Sequence, residues 1–325
     1  MGEKRVIFLL LFLFSLLMPF ATVRPVNAQG TVYIRDDGTV EGTDNLVRIG
    51  SVYSFVDDIF EQEIVFENDN IVIDGANFTL HGGGWQDETG IYVPNRRNIT
   101  ICNVKVTGYK IGIFLENTSD SSVTHSVIDN KFLAYSTGLR IVMSNYNTIT
   151  ENVIANNTLN GLHLFVTSSN NNVTRNVITG NGIGLYLTGG EITSAQTIGN
   201  NIVGNNVTNN NLGIYVDSRG INTIYHNNFI NNTRQWDVIG LTPPLPLKLE
   251  VSSSIWDDGE HGNYWSDYNG TDTNNDGIGD TAYLLSEDNQ DNYPAMTVIP
   301  EFPSWLFLPL LFVATLIAIL FRKRL

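Results

Sequence analysis

The sequence contains little cysteine and little charge, and both shortages exclude classes of protein. One cysteine, Cys102, stands in 325 residues, so neither an intrachain disulfide nor a cysteine-rich zinc site can form. Charged residues make up 16% of the chain, too few for a coiled coil or a disordered acidic tail. The formal net charge of −15 repels phosphate backbones and attracts divalent cations. We therefore expect no nucleic-acid partner.

Apolar segments at the two ends predict export and anchoring. A basic start, an apolar run over residues 6–20 and the small residues before Gln29 predict a signal peptide over residues 1–28. Residues 305–321 carry no charge and predict a transmembrane helix, which a basic tail at 322–325 holds on the cytoplasmic side. The sequence therefore predicts a cell-surface protein whose folded part lies outside the membrane.

The middle of the chain repeats with a period near 25 residues. A short β-like run opens at Ile71, Ile99, Val123, Ile149, Val173, Ile202 and Ile224. A glycine followed by Ile or Leu comes later in the first six units, at Gly90, Gly112, Gly138, Gly161, Gly184 and Gly213. Apolar residues alternate within the units, which excludes helical repeats. Stacking such units predicts an all-β fold, a parallel β-helix of about seven coils over residues 67–233.

Regions outside the repeat are predicted to cap its ends. Residues 29–66 are expected to cover the first coil with a short antiparallel or helical element, because exposed strand edges promote association. Residues 234–296 are predicted to form a C-terminal cap that contains an Asp-rich loop, and residues 297–304 a linker to the transmembrane helix.

The repeat register assigns a role to each column of residues. Three residues after each opening position come Asp74, Cys102, Ser126, Asn152, Asn176, Asn205 and Asn227. The four asparagines predict an internal ladder of amide hydrogen bonds, with Cys102 as a small filler rather than a reactive thiol. A second asparagine column is Asn157, Asn181, Asn210 and Asn232. Core residues are predicted five places after each opening, at Ala76, Val104, Ile128, Ile154, Ile178, Val207 and Phe229.

Several segments resemble a known family. Residues 71–76, 171–178, 262–268 and 276–280 resemble the NosD-type branch of right-handed parallel β-helix proteins, whose superfamily shares the pectin-lyase-like fold. The likeness spans residues 31–296 and implies a right-handed β-helix. It does not imply one activity, because this scaffold carries lyases, hydrolases, epimerases and inert surface proteins.

The C-terminal tail carries a second resemblance. Residues 300–303, Pro-Glu-Phe-Pro, precede the apolar segment and its basic end. This arrangement resembles the sorting tails that exosortase or archaeosortase enzymes read. The resemblance implies that the helix is removed and replaced by another anchor, and the cell-surface location is the same in either case.

One outward-facing column is a candidate ligand site. The middle residue of the second strand in each unit should point away from the core, since its neighbours point inward. This column contains Tyr92, Phe114, Arg140, His163, Tyr186 and Tyr215. Sugars stack on aromatic rings, so we expect a carbohydrate-binding stripe. The alternative is that these residues stabilise the sheet through cross-strand contacts.

An Asp-rich loop is a candidate calcium site. Oxygen ligands at alternating positions are predicted from Asp272, Asn274, Asp276, Ile278 and Asp280, with a glycine at the sixth position of the loop. Tyr283 stands where an EF-hand has a bidentate Glu, so Glu287 or Asp267 is expected to complete the shell. The expected ion is a structural Ca²⁺, and the alternative is a simple turn rich in Asp and Asn.

The resemblance to NosD also raises copper, which the sequence disfavours. Copper requires His, Met or Cys close together. His125 and His226 share a column but lie four coils apart, and the other three histidines, His81, His163 and His261, fall in different registers. The register therefore predicts no pair of histidines at ligand spacing.

Taken together, the sequence favours a non-catalytic surface protein that binds glycans or neighbouring surface molecules. The alternative functions are an extracellular polysaccharide-modifying enzyme and NosD-like copper handling. Arg140 beside His163 is the best neighbouring pair for catalysis, whereas Glu151 beside Arg175 is interpreted as a surface ion pair. Candidate glycosylation sites at turns are Asn98, Asn156 and Asn231.

Overall fold

The computed structural model describes residues 30–84, 88–131, 133–189, 195–217, 220–238, 253–286 and 288–300. The predicted signal peptide, transmembrane helix and basic tail lie outside these residues, as does the Pro-Glu-Phe-Pro motif from its second residue on. Within the described ranges, no helix is long and apolar enough to cross a membrane.

Within these described residues, thirty strands, numbered in chain order, form three long sheets and one hairpin. Sheet 1 contains β1 (Gly30–Ile34), β2 (Val40–Glu41), β6 (Gln62–Phe66), β9 (Thr89–Pro94), β12 (Ile111–Glu116), β15 (Thr137–Val142), β18 (Asn160–Phe165), β21 (Ile183–Thr188), β24 (Leu212–Asp217) and β27 (Arg234–Val238). Sheet 2 contains β3 (Leu46–Ile49), β4 (Val52–Phe55), β7 (Val72–Asp74), β10 (Thr100–Cys102), β13 (Ser122–Thr124), β16 (Thr148–Thr150), β19 (Asn172–Thr174), β22 (Asn201–Val203) and β25 (Thr223–Tyr225). Sheet 3 contains β5 (Ile59–Phe60), β8 (Thr79–His81), β11 (Lys105–Thr107), β14 (Val127–Asp129), β17 (Val153–Ala155), β20 (Val177–Thr179), β23 (Asn206–Thr208), β26 (Asn228–Ile230) and β28 (Tyr264–Trp265). The hairpin consists of β29 (Tyr283–Ser286) and β30 (Asn289–Asp291).

Each coil contributes one strand to every sheet, and neighbouring coils pair in parallel. The coils that begin with β7, β10, β13, β16, β19, β22 and β25 correspond to the predicted repeat. The prediction of an all-β, right-handed parallel β-helix of about seven coils is therefore confirmed. In the predicted N-terminal cap, β4 to β6 pair in parallel with the next coil, while β3 lies antiparallel to β4.

Columns of inward-facing residues from the three long sheets form a continuous apolar core. Sheet 2 supplies Ile73, Ile101, Val123, Ile149, Val173, Ile202 and Ile224, all buried. Sheet 3 supplies Leu80, Val106, Ile128, Ile154, Ile178, Val207 and Phe229, and sheet 1 supplies Ile91, Ile113, Leu139, Leu162, Leu185 and Ile214. β-Branched side chains suit this stacking because each one packs on its counterpart in the next coil.

The glycine of each repeat lies where the chain bends into sheet 1. A Cβ atom built on Gly138 meets the carbonyl oxygen of Gly161 at 2.7 Å, and one built on Gly161 meets that of Gly184 at the same distance. No real Cβ approaches an oxygen so closely, so a larger residue would push neighbouring coils apart. The recurring glycine is therefore required by the close approach of coils at this corner.

Three ladders of buried asparagines run along the corners. The first contains Asn152, Asn176, Asn205 and Asn227 and continues to Asn263. The second runs from Asn130 through Asn157, Asn181 and Asn210 to Asn232. A third, absent from our sequence analysis, contains Asn147, Asn171, Asn200 and Asn222.

An asparagine inside a ladder bonds to the coils on both sides of its own, as Asn176 shows. The Asn176 amide donates to Asn205 Oδ1 at 3.0 Å and to the Ile149 carbonyl at 2.8 Å. Its own Oδ1 accepts from both the backbone N–H and the side-chain amide of Asn152, each at 3.0 Å. These bonds satisfy the polar groups that a tight buried turn would otherwise leave unpaired.

The predicted register is wrong in the first two coils. Asp74 and Cys102 lie within strands and pair with each other, two residues before the ladder corner. Val104 occupies the place predicted for Cys102, and its backbone N–H donates to Ser126 Oγ at 3.4 Å. Ala76, predicted in the core, is exposed with φ of 47°.

The error arose because apolar residues replace amides at the early corners. Ile99 is buried and its backbone N–H donates to Ser121 Oγ, so it occupies the column that continues as Asn147. Ile71 precedes it in the same column. We interpreted both residues as the openings of their strands, although the residue that corresponds to the later openings comes two places further along the chain in each of these coils.

The C-terminal cap continues the core and the first ladder. Trp265 stacks on Phe229 with ring centroids 4.4 Å apart, and Tyr283 stacks on Trp265 at 4.5 Å. The ladder ends at Asp291, whose Oδ2 accepts from the Asn263 backbone N–H at 2.7 Å and from Trp265 Nε1 at 2.8 Å. A fully buried carboxylate thus terminates a column of amides.

We predict that Asn176→Ala lowers the free energy of unfolding by roughly 2–4 kcal/mol, because it leaves several buried donors and acceptors unpaired. The control is Asn172→Ala in the same coil, where the asparagine is exposed and accepts one bond from Asn201. We expect the control to change stability by less than about 1 kcal/mol. Urea denaturation measures both, and equal losses would contradict a structural role for the ladder.

A second prediction concerns Asp291. Burial raises the pKa of this carboxyl from 3.8 to about 6, although several N–H groups oppose the shift. The protonated form is therefore favoured by folding, and its contribution to stability is lost as the pH rises from 4 to 6. The difference in free energy of unfolding between the parent and Asp291→Asn should fall by about 2 kcal/mol over this interval. A difference that stays constant with pH would contradict the assignment.

Candidate functional site

The structure brings the six residues of the predicted stripe together on the outer face of sheet 1. Each residue pairs in register with the next, in the order Tyr92, Phe114, Arg140, His163, Tyr186 and Tyr215. Their strands are β9, β12, β15, β18, β21 and β24. The alternation of the strand directs these side chains outward because the residues on both sides of each belong to the core.

The rings of the stripe stack on one another rather than presenting open faces. Tyr92 and Phe114 have centroids 5.3 Å apart, and His163 lies 4.4 Å from Tyr186 with an interplanar angle of 10°. Tyr215 meets Tyr186 edge-on at 4.9 Å. Ring faces of neighbouring residues are therefore turned towards one another within the stripe, and sugar binding by these rings stays a prediction.

Arg140 and His163 occupy the centre of the stripe with unpaired nitrogen atoms. Among the described residues, Arg140 Nε and His163 Nε2 are buried and have no hydrogen-bond partner. The guanidinium carbon lies 5.6 Å from the Phe114 ring and 5.4 Å from the Phe165 ring. Burial, followed by the charge of Arg140, lowers the pKa of His163 to about 3. At neutral pH the pair therefore combines a cationic donor with an uncharged imidazole.

A second outward column, not predicted from the sequence, lies beside the stripe. Two residues after each stripe position lie Pro94, Glu116, Val142, Phe165, Thr188 and Asp217. Tyr92 donates to Glu116, and burial together with this bond raises the pKa of Tyr92 to about 12. The same period-two alternation that located the stripe could have located this column.

Two histidines lie close together, contrary to our prediction. The rings of His226 and His261 have centroids 5.5 Å apart. Asp258 lies beside both, with Oδ2 3.7 Å from His226 Nε2 and Oδ1 3.9 Å from His261 Nδ1. Burial lowers the pKa of His226. In this group, one potential metal-ligand atom from each of the three side chains lies within 4.8 Å of the other two, a convergence found here among the described His, Cys, Asp and Glu residues.

Comparison with known proteins identifies the family. The family model described as periplasmic copper-binding protein (NosD) matches residues 57–270. This chain belongs to the NosD family. It is 38% identical over 88 residues to the probable ABC transporter binding protein NosD of Stutzerimonas stutzeri. That alignment covers 26% of this chain and 17% of the relative, so the chain matches about a sixth of the length of this curated NosD.

Solved structures resemble this NosD-family chain at low identity. The Dettilon tailspike protein matches with a TM-score of 0.46 and 10% identity, covering 73% of this chain and 53% of its own. The periplasmic alginate epimerase AlgG matches with a TM-score of 0.41 and 15% identity, covering 72% and 77% respectively. At these scores the likeness supports no inference about ligand or activity.

The predicted calcium loop of this NosD-family chain binds its own backbone. Asp272 Oδ2 accepts from the Gly277 N–H at 2.9 Å, and Asp280 Oδ2 accepts from the Thr273 N–H at 2.9 Å. Gly277 has φ of 87°, a conformation that favours glycine. Tyr283 donates to Asp267 at 3.0 Å, and Glu287 lies outside the described residues. Calcium binding by Asp272, Asn274, Asp276, Ile278 and Asp280 stays a prediction.

The three candidate glycosylation sites lie on exposed turns. Asn98, Asn156 and Asn231 are exposed and have φ of 52°, 55° and 53°. Asparagine tolerates this left-handed conformation better than most residues, which explains its presence at these turns without any glycan. Occupancy of these sites stays a prediction.

We predict that the His163 imidazole remains uncharged between pH 8 and pH 4.5. Replacing its stacking partner, Tyr186→Ala, should expose the ring and raise its pKa by at least about one unit, because burial is the main cause of the shift. Tyr92→Ala, at the far end of the stripe, is the control and should leave the pKa unchanged. NMR titration of the imidazole C–H resonances measures all three, and titration of the parent near pH 6.5 would contradict the prediction.

Proposed function

We propose that this NosD-family chain is a non-catalytic binding protein outside the cytoplasm that binds glycans along the outer face of sheet 1. The predicted signal peptide and C-terminal anchor support a cell-surface location, and the periplasmic description of the family agrees with export. The bound molecule is a glycan or the glycan part of a neighbouring surface molecule.

The unpaired nitrogen atoms of Arg140 and His163 carry this proposal. Buried polar groups are normally hydrogen-bonded, so two such atoms in one stripe require an explanation. Arg140 Nε–H is a donor, and an uncharged imidazole offers an acceptor on one of its nitrogens. A sugar hydroxyl both donates and accepts, so adjacent hydroxyl groups match this pair. Because both nitrogens are buried, the ligand reaches them only when a neighbouring side chain moves aside.

The stacked rings supply the remainder of the surface. Tyr186 and Tyr215 lie next to His163 along the stripe, and both are only partly buried. Ring edges and phenol groups contact sugars through C–H and hydroxyl groups, without needing open ring faces. The regular spacing of coils suits an extended chain of sugar units that lies parallel to the helix axis.

A polysaccharide-modifying enzyme on the same surface is the alternative. Among the residues that the structure describes, no pair of carboxylates adjoins Arg140 and His163, and Glu116 accepts from Tyr92. General acid–base cleavage needs a group positioned to take a proton and another to supply one. The arrangement therefore favours binding over catalysis.

We predict that a glycan array identifies one or more ligands of the full-length chain, and that Tyr186→Ala combined with Tyr215→Ala weakens binding at least about tenfold. Arg140→Gln should do the same by removing the buried donor. Tyr146→Ala is the control, because Tyr146 is 62% exposed and lies outside sheet 1. Binding that resists the stripe variants would contradict the proposal, and release of reducing or unsaturated ends from the ligand would favour the enzyme.

A further inference from the structure

The cluster of His226, Asp258 and His261 stands on two stacked turns at one corner of the β-helix. His226 follows β25 in a left-handed turn, with φ of 55°, and directly precedes ladder residue Asn227. The turn that holds Asp258 and His261 directly precedes the next ladder residue, Asn263. The His226 N–H donates to the Gly262 carbonyl at 2.9 Å, which holds the two turns one coil apart.

The second turn fixes its own carboxylate. Asp258 Oδ1 accepts from the N–H groups of Glu260 at 2.9 Å and His261 at 2.7 Å, and the Asp258 N–H donates to the His261 carbonyl at 3.0 Å. Gly259, with φ of 92°, allows this tight reversal. The remaining oxygen, Oδ2, lies on the side of His226, so the turn presents a carboxylate and an imidazole together.

The NosD family is described as copper-binding. We propose that His226, Asp258 and His261 are the residues of this chain that bind a divalent first-row transition-metal ion, with Cu²⁺ bound most tightly. The ligand atoms lie within 4.8 Å of one another. Metal–nitrogen bonds of about 2.0–2.1 Å place neighbouring ligand atoms roughly 3–3.5 Å apart, so small rotations of the side chains complete the site. The imidazole nitrogens lie 3.7 and 3.9 Å from the carboxylate oxygens, which is too far for hydrogen bonds. An ion that binds there therefore breaks no hydrogen bond between these groups.

The donor set selects the class of ion. Two imidazole nitrogens and one carboxylate suit Cu²⁺, Zn²⁺ and Ni²⁺, whereas Ca²⁺ and Mg²⁺ prefer shells made of oxygen. The three donors include no sulfur, which disfavours Cu⁺. Among divalent ions, a given nitrogen and oxygen site binds Cu²⁺ most tightly.

The site is open to solvent and its ion can exchange. The side chains of His226, Asp258 and His261 are 35%, 33% and 55% exposed. Three protein ligands leave at least one position for water or for a ligand from another molecule. The negative net charge of the chain raises the local concentration of cations around such a site. This inference is independent of glycan binding on sheet 1.

The structure offers closely matched variants for a test. His226→Asn removes the imidazole but suits a left-handed turn, and Asp258→Asn keeps the Oδ1 acceptor for the turn while removing the charge. His261→Gln removes the second imidazole. His125→Asn is the control, since His125 occupies the same corner four coils away, with φ of 51°, and contacts Glu151 without a second histidine.

Calorimetric titration of the full-length chain with Cu²⁺ and with Zn²⁺, in a non-coordinating buffer at neutral pH, tests the proposal. We expect one ion per chain. The loss of affinity in His226→Asn and in His261→Gln should exceed the roughly 10- to 100-fold loss that is typical when a residue hydrogen-bonded to a metal ligand is replaced. The electron paramagnetic resonance spectrum of bound Cu²⁺ should show nitrogen coupling that weakens in each histidine variant. Bound ion should also raise the melting temperature, because it joins the last coil to the cap.

The result that overturns the proposal is the absence of stoichiometric binding of either ion to the parent chain. Binding that persists in both His226→Asn and His261→Gln, or that His125→Asn removes, also overturns it. Melting curves in the presence of a chelator, which should match the parent for every variant, establish that the variants fold.

Discussion

The β-helix depends on hydrogen bonds that pass from coil to coil through buried asparagine side chains. Backbone pairing alone holds the strands, but each corner interrupts it and would leave amide groups buried without partners. An asparagine supplies both a donor and an acceptor at that point, and its length matches the spacing between coils. The three ladders therefore allow the chain to turn three times per coil around an entirely apolar core.

The cap follows from the same constraint. A ladder that ended without a partner would expose its last asparagine, so the chain after residue 252 returns and contributes Asn263 and Asp291 to the same column. The tryptophan of β28 then covers the last core residue, Phe229, and donates to Asp291. Core and ladder are closed by one short segment. That segment also carries Asp258 and His261, so their meeting with His226 is a consequence of how the end of the β-helix is closed.

Much of the fold could be predicted because its interactions repeat. Alternating apolar residues, a glycine at one corner and asparagine at others recur every coil, and each repetition strengthens the inference. The register failed at Ile71 and Ile99 because a buried apolar side chain can fill a corner that usually holds an amide. Side-chain stacking within the stripe could not be predicted, since ring orientation depends on the neighbouring coil. The meeting of His226 with His261 was also hidden, because residues between the last coil and the cap interrupt the period.

At one corner position the backbone conformation is constant from coil to coil while the side chain varies. His125, Glu151, Arg175, Gly204 and His226 occupy it in successive coils, all in the left-handed conformation, and each comes immediately before a ladder asparagine or, for His125, before Ser126 at the same corner. Their side chains differ in charge and size, yet the coils beneath them are alike. Substitutions at this position can therefore change the charge and size of the exposed side chains one at a time without disturbing the scaffold. New binding specificities can arise there in chains of the same architecture.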